Sequence, residues 1–375
     1  MGVEDAPGNM GLYDQLLALR WVRSNAKAFG GDPEKITIMG QSAGSFSVGV
    51  HLTSPKSKGL FHRAVMQSGS LFSSTMISKK EEAITRAQVL AKALGCDSKI
   101  TRATTLQETI NCLRSKEVSA ILNATARITV EGFDGFTPVV DEEMIPRDPA
   151  LALSDGNFNA RHLLVGISAA EGDAMLHFMT KRFHSGNSVE SVSKRTMMFI
   201  AKGLMITMLG GESAAIIDHY FGGSRGRDGT AAFHAAADLI GDNQLACPTI
   251  RFARMYLAPQ RSVFMYQMSQ QPSRIGWPKW IRPTHADEIA FVLGSVFKLE
   301  RNVVKSDAQA SENFMHIIST FSHTGVPQTR GRSRWPKFDG QKRYMDIGKQ
   351  SNSPRKFLRQ AECDLWEKVN DVQSG

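Results

Sequence analysis

The chain has 375 residues, of which 42% are hydrophobic, so it is long enough to bury the core of one large domain. Its formal net charge is +9, yet Lys and Arg are scattered, and no basic stretch is interleaved with aromatic residues as in nucleic-acid-binding surfaces. No apolar run approaches the roughly 20 residues that span a bilayer, and the first residues lack the features of a signal peptide. We therefore expect a single domain over residues 1–375 with no nucleic-acid partner and no membrane-spanning segment.

In the first 70 residues, predicted helices alternate with short apolar strands. Leucines at helical spacing predict a helix over residues 9–29, which a Gly-Gly-Asp-Pro turn ends. A β-branched strand at 36–39 is followed by a helix that runs through Leu52, and a second strand follows at 64–69. This alternation predicts an α/β fold in which helices cover a parallel sheet.

The remaining elements continue this alternation, without internal repeats or low-complexity linkers. The helices lie at 81–94, 106–122, within 189–257, at 307–324 and at 356–369, and the strands lie at 162–166, 262–268 and 344–346.

The stretch between the first strand and its helix carries the strongest functional signal. Gly40-Gln41-Ser42-Ala43-Gly44 matches Gly-x-Ser-x-Gly in the strand–turn–helix context of a nucleophile elbow. We expect a strained backbone at Ser42, with room for nothing larger than glycine two residues to either side. Ser42 is therefore the candidate nucleophile, and the N–H of Ala43 is the candidate oxyanion donor.

A serine nucleophile needs a base and a carboxylate that orients it, and in this architecture they follow in the order acid, then histidine. Glu171 lies just beyond the third predicted strand, and His285 lies in the loop after the fourth. The spacing leaves alternatives open. Asp173 could replace Glu171, and His162 and His177 are weaker rivals of His285.

The four cysteines are compatible with two bonding states. They form no Cys-x-x-Cys pair, which argues against a zinc site or thioredoxin-like chemistry. Their even number fits either two disulfides in an oxidising compartment or four buried thiols. Asn123 begins the one N-glycosylation sequon, Asn-Ala-Thr.

Several motifs together, in a fixed order, make the chain resemble the type-B carboxylesterase/cholinesterase family from Gly8 to its end. The resemblance implies an α/β-hydrolase fold with a central, mostly parallel sheet flanked by helices. It also implies Ser42 as nucleophile, His285 as general base and acid, Glu171 as the acid partner, a small-molecule ester substrate, and no metal or organic cofactor. The motifs lie at residues 9–15, 28–33, 40–44, 60–70, 138–141 and 285–294.

The resemblance also implies supporting residues. Ser68 matches a position in the strand end beside the catalytic residues, and Glu288 matches a second carboxylate behind them. The disulfides would join Cys96 to Cys112 and Cys247 to Cys363. This pairing favours a secreted or lumenal protein.

Positions near the expected pocket bear on the substrate. Gln41 precedes the nucleophile where cholinesterases and many carboxylesterases have glutamate. Cholinesterases carry aromatic residues where this chain has Gly132, Asp134, Ala174 and Met175. Both differences weaken the binding of a cation, so we expect a neutral carboxylic ester rather than a choline ester.

Members of the family are longer at the amino end than this chain. The resemblance then implies a partial domain without the first strands of the sheet and without the Gly-Gly loop that supplies further oxyanion donors. We expect a free edge on the first strand, and little activity from the chain by itself. The competing prediction is a non-catalytic binding protein similar to neuroligins, although such proteins usually lack the nucleophile. The sequence predicts no oligomeric state.

Overall fold

The computed structural model describes residues 2–73, 76–97, 105–130, 135–147, 149–154, 156, 158–180, 192–209, 213–222, 229–273, 276–299, 303–331, 333–348 and 352–373. Six strands of these residues form one sheet, in which spatial order follows chain order. The first five strands run parallel and the last is antiparallel. They are β1 Thr37–Gln41, β2 Arg63–Gln67, β3 His162–Ser168, β4 Ser262–Met268, β5 Tyr344–Ile347 and β6 Asn352–Arg355.

The central strands are buried on both faces, as in a parallel sheet covered by helices. Leu163 and Val165 of β3 pack into one apolar cluster, whereas Leu164 between them packs into a second cluster on the opposite face. The strands pair in register, with Gln41 opposite Gln67 and Gln67 opposite Gly166. The loops that follow β1, β2, β3 and β4 therefore meet at one end of the sheet, where the carboxyl ends of these strands lie side by side.

Helices cover both faces of this sheet. Short 3₁₀ turns follow the first two helices, and a π-helical turn at Asp242–Ala246 joins the helices Gly229–Gly241 and Cys247–Met255. The helices are α1 Met10–Asn25, α2 Ala43–Thr53, α3 Lys80–Ala93, α4 Leu106–Arg114, α5 Val118–Val130, α6 Pro149–Ser154, α7 Gly172–Thr180, α8 Lys194–Leu209, α9 Ala214–Phe221, α10 Gly229–Gly241, α11 Cys247–Met255, α12 Glu288–Val292, α13 Val296–Leu299, α14 Lys305–Thr324 and α15 Gln360–Gln373.

Two of the predicted helices were wrong in extent. The helix predicted over 106–122 is broken between α4 and α5, where the Ser115 hydroxyl donates to the Cys112 carbonyl at 2.7 Å and so competes with the helical pattern. The closing helix does not begin at 356, because Phe357 and Arg359 have φ values of 60° and 45°. The preceding strand β6 was not predicted, since Pro354 is tolerated only at a sheet edge.

Both disulfide pairings implied by the resemblance are confirmed. Cys96–Cys112 joins the end of α3 to α4, and Cys247–Cys363 joins α11 to α15, each with an S–S distance of 2.04 Å. Asn123 lies exposed on α5, and its glycosylation stays a prediction.

Candidate active site

The turn between β1 and α2 is strained at a single residue. Ser42 has φ 57° and ψ −120°, a combination that is unfavourable for a residue with a side chain. Its backbone N–H donates to the carbonyl of Gln67 at the end of β2, at 2.9 Å. The strain therefore persists because the adjacent strand holds the turn, and it turns Ser42 out of the strand at the carboxyl edge of the sheet.

The glycines around the elbow differ in their need to be glycine. A Cβ on Gly40 would lie 2.2 Å from the backbone of Gly44, and a Cβ on Gly69 would lie 2.6 Å from the Ser42 carbonyl oxygen. By contrast, a Cβ on Gly44 would meet nothing within 4 Å. The predicted requirement for glycine is confirmed at Gly40 and wrong at Gly44. A side chain on Gly40 would clash with the backbone of Gly44, whereas a side chain on Gly44 itself would extend into open space.

The predicted acid and base lie against each other. His285 donates its Nδ1 proton to Glu171 Oε2 at 2.9 Å, and the other carboxylate oxygen accepts the N–H of Ser168 at 2.7 Å. The Glu171 side chain is almost completely buried. A carboxylate held on both oxygens in this way fixes the tautomer and the orientation of the imidazole.

The alternatives to this pair lie elsewhere or are engaged with other groups. The carboxylate of Asp173 is bound by Arg282. His162 begins β3, at the amino edge of the sheet, and His177 lies in α7 with its ring against Trp280. The structure therefore pairs His285 with Glu171. Among the described residues, Asp173 and the two other histidines take no part in this hydrogen bond.

The second ring nitrogen of His285 faces the elbow. Its Nε2 lies 3.3 Å from Nε2 of Gln41, the residue that precedes the candidate nucleophile. Because Nδ1 carries the proton given to Glu171, Nε2 is the acceptor here and the Gln41 amide is the donor. Within the described residues no hydrogen bond joins Ser42 to His285, so the amide of Gln41 occupies the basic nitrogen.

Electrostatics favour a basic histidine. Burial lowers the pKa of His285, but the hydrogen bond and charge of Glu171 oppose it, and the charges of Glu288 and Asp287 add to that effect. The net result is a pKa above the usual value for histidine. This residue therefore suits the removal of a proton from a hydroxyl near neutral pH.

Glu288 and Ser68, the supporting residues predicted from the resemblance, are both buried. Both carboxyl oxygens of Glu288 and the hydroxyl of Ser68 have no hydrogen-bond partner among the described residues. Burial raises the pKa of Glu288 to about 8, and the charge of Glu171 acts in the same direction. Burial thus favours the protonated form of Glu288 over the carboxylate.

Ala43 is the first residue of α2, so its N–H has no acceptor within the helix. It lines a groove of about 1130 Å³ that runs between α1, α2 and residues 136–143. Of the positions expected to determine the substrate, Ala174 is buried and Met175 is half-buried, while residues 132 and 134 lie outside the described residues. Across the parts of the chain that the structure covers, no cluster of three or more His, Cys, Asp or Glu could hold a metal ion.

Sequence reasoning missed one group of residues at this site. Arg282, three residues before His285, binds both Asp173 and Asp238. Asp173 and Arg282, which lie close to the acid and the base along the chain, are both visible in the sequence. Asp238, however, lies in α10, and no local sequence pattern connects that helix to either loop.

The chain matches known proteins of one family over most of its length. A profile described as the carboxylesterase family matches residues 1–366. A cholinesterase of Mus musculus is 33% identical over 377 aligned positions, which cover 97% of this chain and 60% of the mouse protein. The chain thus spans about three fifths of the length of that curated relative. Among the described helices none is both long and apolar enough to cross a membrane.

Proposed function

Since this chain belongs to the carboxylesterase family, we propose that it hydrolyses carboxylic esters through an acyl-enzyme formed on Ser42. The observation that carries the proposal is the Glu171–His285 hydrogen bond of 2.9 Å beside a strained nucleophile elbow. A histidine oriented by a buried carboxylate is the arrangement that activates a serine hydroxyl.

In the proposed reaction, the Gln41 amide leaves Nε2 of His285, and Nε2 then takes the proton of Ser42 as Oγ attacks the ester carbonyl. The carbonyl oxygen becomes an oxyanion that the Ala43 N–H stabilises. His285 gives the proton to the leaving alcohol. In the second half of the reaction His285 takes a proton from water, which attacks the acyl-enzyme, and then returns that proton to Ser42 Oγ as the carboxylic acid is released. Glu171 stabilises the imidazolium in both halves of the reaction.

The most direct test is covalent labelling of the chain with a fluorescent organophosphate. We expect one label on Ser42, no label on Ser42→Ala, and unchanged labelling of Ser47→Ala, which alters a half-buried hydroxyl of the same helix. Labelling of Ser42→Ala at the rate of the parent chain would contradict the proposal. Peptide mapping of the labelled protein identifies the modified residue.

For the substrate, the neutral amide of Gln41 and the non-aromatic Ala174 and Met175 favour a neutral ester over a choline ester. The second candidate is a choline ester, because the mouse relative is a cholinesterase at 33% identity. Comparison of kcat/KM for p-nitrophenyl butyrate and butyrylthiocholine separates the two. We expect the neutral ester to be preferred by about tenfold, which corresponds to about 1.4 kcal/mol.

The compartment and the modification are further parts of the proposal. Two disulfides are typical of proteins in an oxidising environment, which supports a secreted or lumenal protein. The exposed Asn123 is then available for glycosylation. Expression in a secretory host, with and without removal of N-glycans, tests both points by a mass shift that Asn123→Gln abolishes.

A further inference from the structure

The loops that carry the acid and the base are attached to each other. The N–H of Ala170 donates to the Pro283 carbonyl at 2.9 Å, and the N–H of Ala174 donates to the Thr284 hydroxyl at the same distance. Ala170 and Thr284 form an isolated parallel bridge. These bonds lie on either side of Glu171 in the acid loop and directly before His285 in the base loop.

An ion pair between a partly exposed arginine and a buried aspartate connects the same two loops. Arg282 donates to the carboxylate of Asp173 from Nη2 at 2.6 Å, from Nε at 3.2 Å and from its own backbone N–H at 2.9 Å. Asp173 is fully buried, and its carboxylate also lies 3.8 Å from Nε2 of His234. The two contacts from Nε and Nη2 form a bidentate pair, which fixes the orientation of the loops as well as the distance between them.

The other edge of the same guanidinium binds α10. Arg282 donates to Asp238 from Nη2 at 2.9 Å and from Nη1 at 3.1 Å. This helix also lies directly against the acid, since a Cβ on Gly172 would be 1.9 Å from the Ala237 carbonyl oxygen and a Cβ on Gly241 would be 3.0 Å from Glu171 Cβ. The Arg282 side chain therefore joins the base loop both to the acid loop and to α10, which packs against the acid.

We propose that Asp173 and Arg282 form a positioning pair that keeps Glu171 within hydrogen-bond distance of His285. Asp173 follows the acid by two residues and Arg282 precedes the base by three, so the pair fixes the loops at points adjacent to the catalytic groups. Asp238 supports the pair through the second edge of Arg282. The inference rests on the proposed function for its catalytic consequence, but the geometry it describes can be measured without activity.

The first test is spectroscopic and needs no substrate. In the full chain labelled with ¹⁵N-histidine, the Nδ1 proton shared with Glu171 gives a low-field resonance, which His285→Gln identifies by its loss. Arg282→Gln removes this resonance or broadens it beyond detection, and Arg282→Lys weakens it because a lysine cannot bind both carboxylates bidentately. Arg254→Gln, which breaks the exposed pair with Glu367, leaves it unchanged.

The second test measures the rate of organophosphate labelling against pH. Arg282→Gln lowers the labelling rate by about tenfold or more. It also moves the acid limb to lower pH, because the hydrogen bond to Glu171 raises the pKa of His285. The other groups that face His285 are the carboxylates Glu288 and Asp287 and the neutral amide of Gln41, and all three remain in the variant.

The outcomes separate the two hypotheses. A folded Arg282→Gln chain that keeps both the resonance and the labelling rate overturns the positioning role. Failure of the parent chain to label at all overturns the proposed function, while the resonance still decides the role of the pair. Where Arg282→Gln melts below the assay temperature, the double variant Asp173→Asn/Arg282→Gln carries the test, since it leaves no unpaired charge between the two loops.

Discussion

The two sides of the candidate site are held in place in different ways. On one side, the acid and base loops are joined by backbone hydrogen bonds and by Arg282, which binds Asp173 and Asp238. On the other side, the nucleophile follows β1, which pairs only with β2 among the described strands and leaves Met39 41% exposed. Charged side chains thus help to fix the acid and base, whereas backbone contacts with neighbouring residues fix the nucleophile.

This difference indicates how each side will respond to mutation. The position of the acid and base depends on charged groups, so it should respond to charge changes and to pH. The position of the nucleophile depends on the close approach of backbone atoms around Ser42, so it should respond to added volume. Gln41 is the point of contact, because its amide reaches from the elbow to the imidazole of His285.

The largest effect is expected at the elbow, from Gly40→Ala. The added methyl would lie 2.2 Å from the backbone of Gly44, so the turn must move, and a shift of about 1 Å at a reacting group costs roughly 100-fold in rate. Gly44→Ala is the matched control, because its methyl meets nothing within 4 Å. The labelling rates of the two variants test the comparison, and equal rates would contradict it.

The elbow was also the part of the site that the sequence predicted best. A local motif sufficed for Ser42 and Ala43, and strand order sufficed to bring Glu171 and His285 to the same edge. Spacing alone could not choose between Glu171 and Asp173, since both follow β3. In the structure Glu171 is bound by His285 and Asp173 by Arg282. Short-range signals therefore predicted the candidate residues, and long-range contacts determined which groups surround them.

The fold shows the same division between local and distant information. Helical spacing predicted α1, and apolar runs predicted β1 to β4, because each pattern depends on neighbours in the chain. Strand β6 was missed, since its four residues Asn352–Arg355 include Pro354 and form a strand only by pairing with β5. The break between α4 and α5 was also missed, because it depends on one hydroxyl of Ser115.

On the acid–base side, Glu288→Gln should change stability with pH. Burial raises the pKa of Glu288 from 4.5 to about 8 in the folded chain. The stabilisation of the neutral form is therefore present below the unfolded pKa and is lost as the pH rises towards 8. Relative to the parent chain, we expect Glu288→Gln to melt a few degrees higher at pH 9, with a smaller difference at pH 5.

The control for this experiment is Glu312→Gln, which changes an exposed carboxylate paired with Arg330. Its melting temperature should follow that of the parent chain at both pH values. Differential scanning calorimetry at pH 5 and pH 9 measures the three proteins. A Glu288→Gln chain that gains no stability at the higher pH would show that Glu288 is charged without cost.

On the nucleophile side, Met39→Lys tests whether the free edge of β1 controls self-association. An apolar edge strand can pair with another copy, and a lysine on such an edge opposes that pairing. We expect light scattering during a thermal ramp to begin several degrees later in Met39→Lys than in the parent chain. Met315→Lys changes a methionine of similar exposure, 37%, on α14, away from the strand edge. The same delay in both variants would show that net charge, and not the edge, is responsible.

The smallest effect is expected at the contact between the two sides, from Gln41→Glu. The new carboxylate would lie near Nε2 of His285, where the amide nitrogen now lies at 3.3 Å. An opposite charge at this distance stabilises the imidazolium, so it raises the pKa of His285. The acid limb of the labelling rate should move to higher pH, which slows labelling near pH 6 and leaves it unchanged near pH 9. Gln107→Glu, on the exposed surface of α4, should leave the profile unchanged. An unshifted profile in Gln41→Glu would mean that the amide does not lie against the base in solution, and that the two sides of the site are positioned independently.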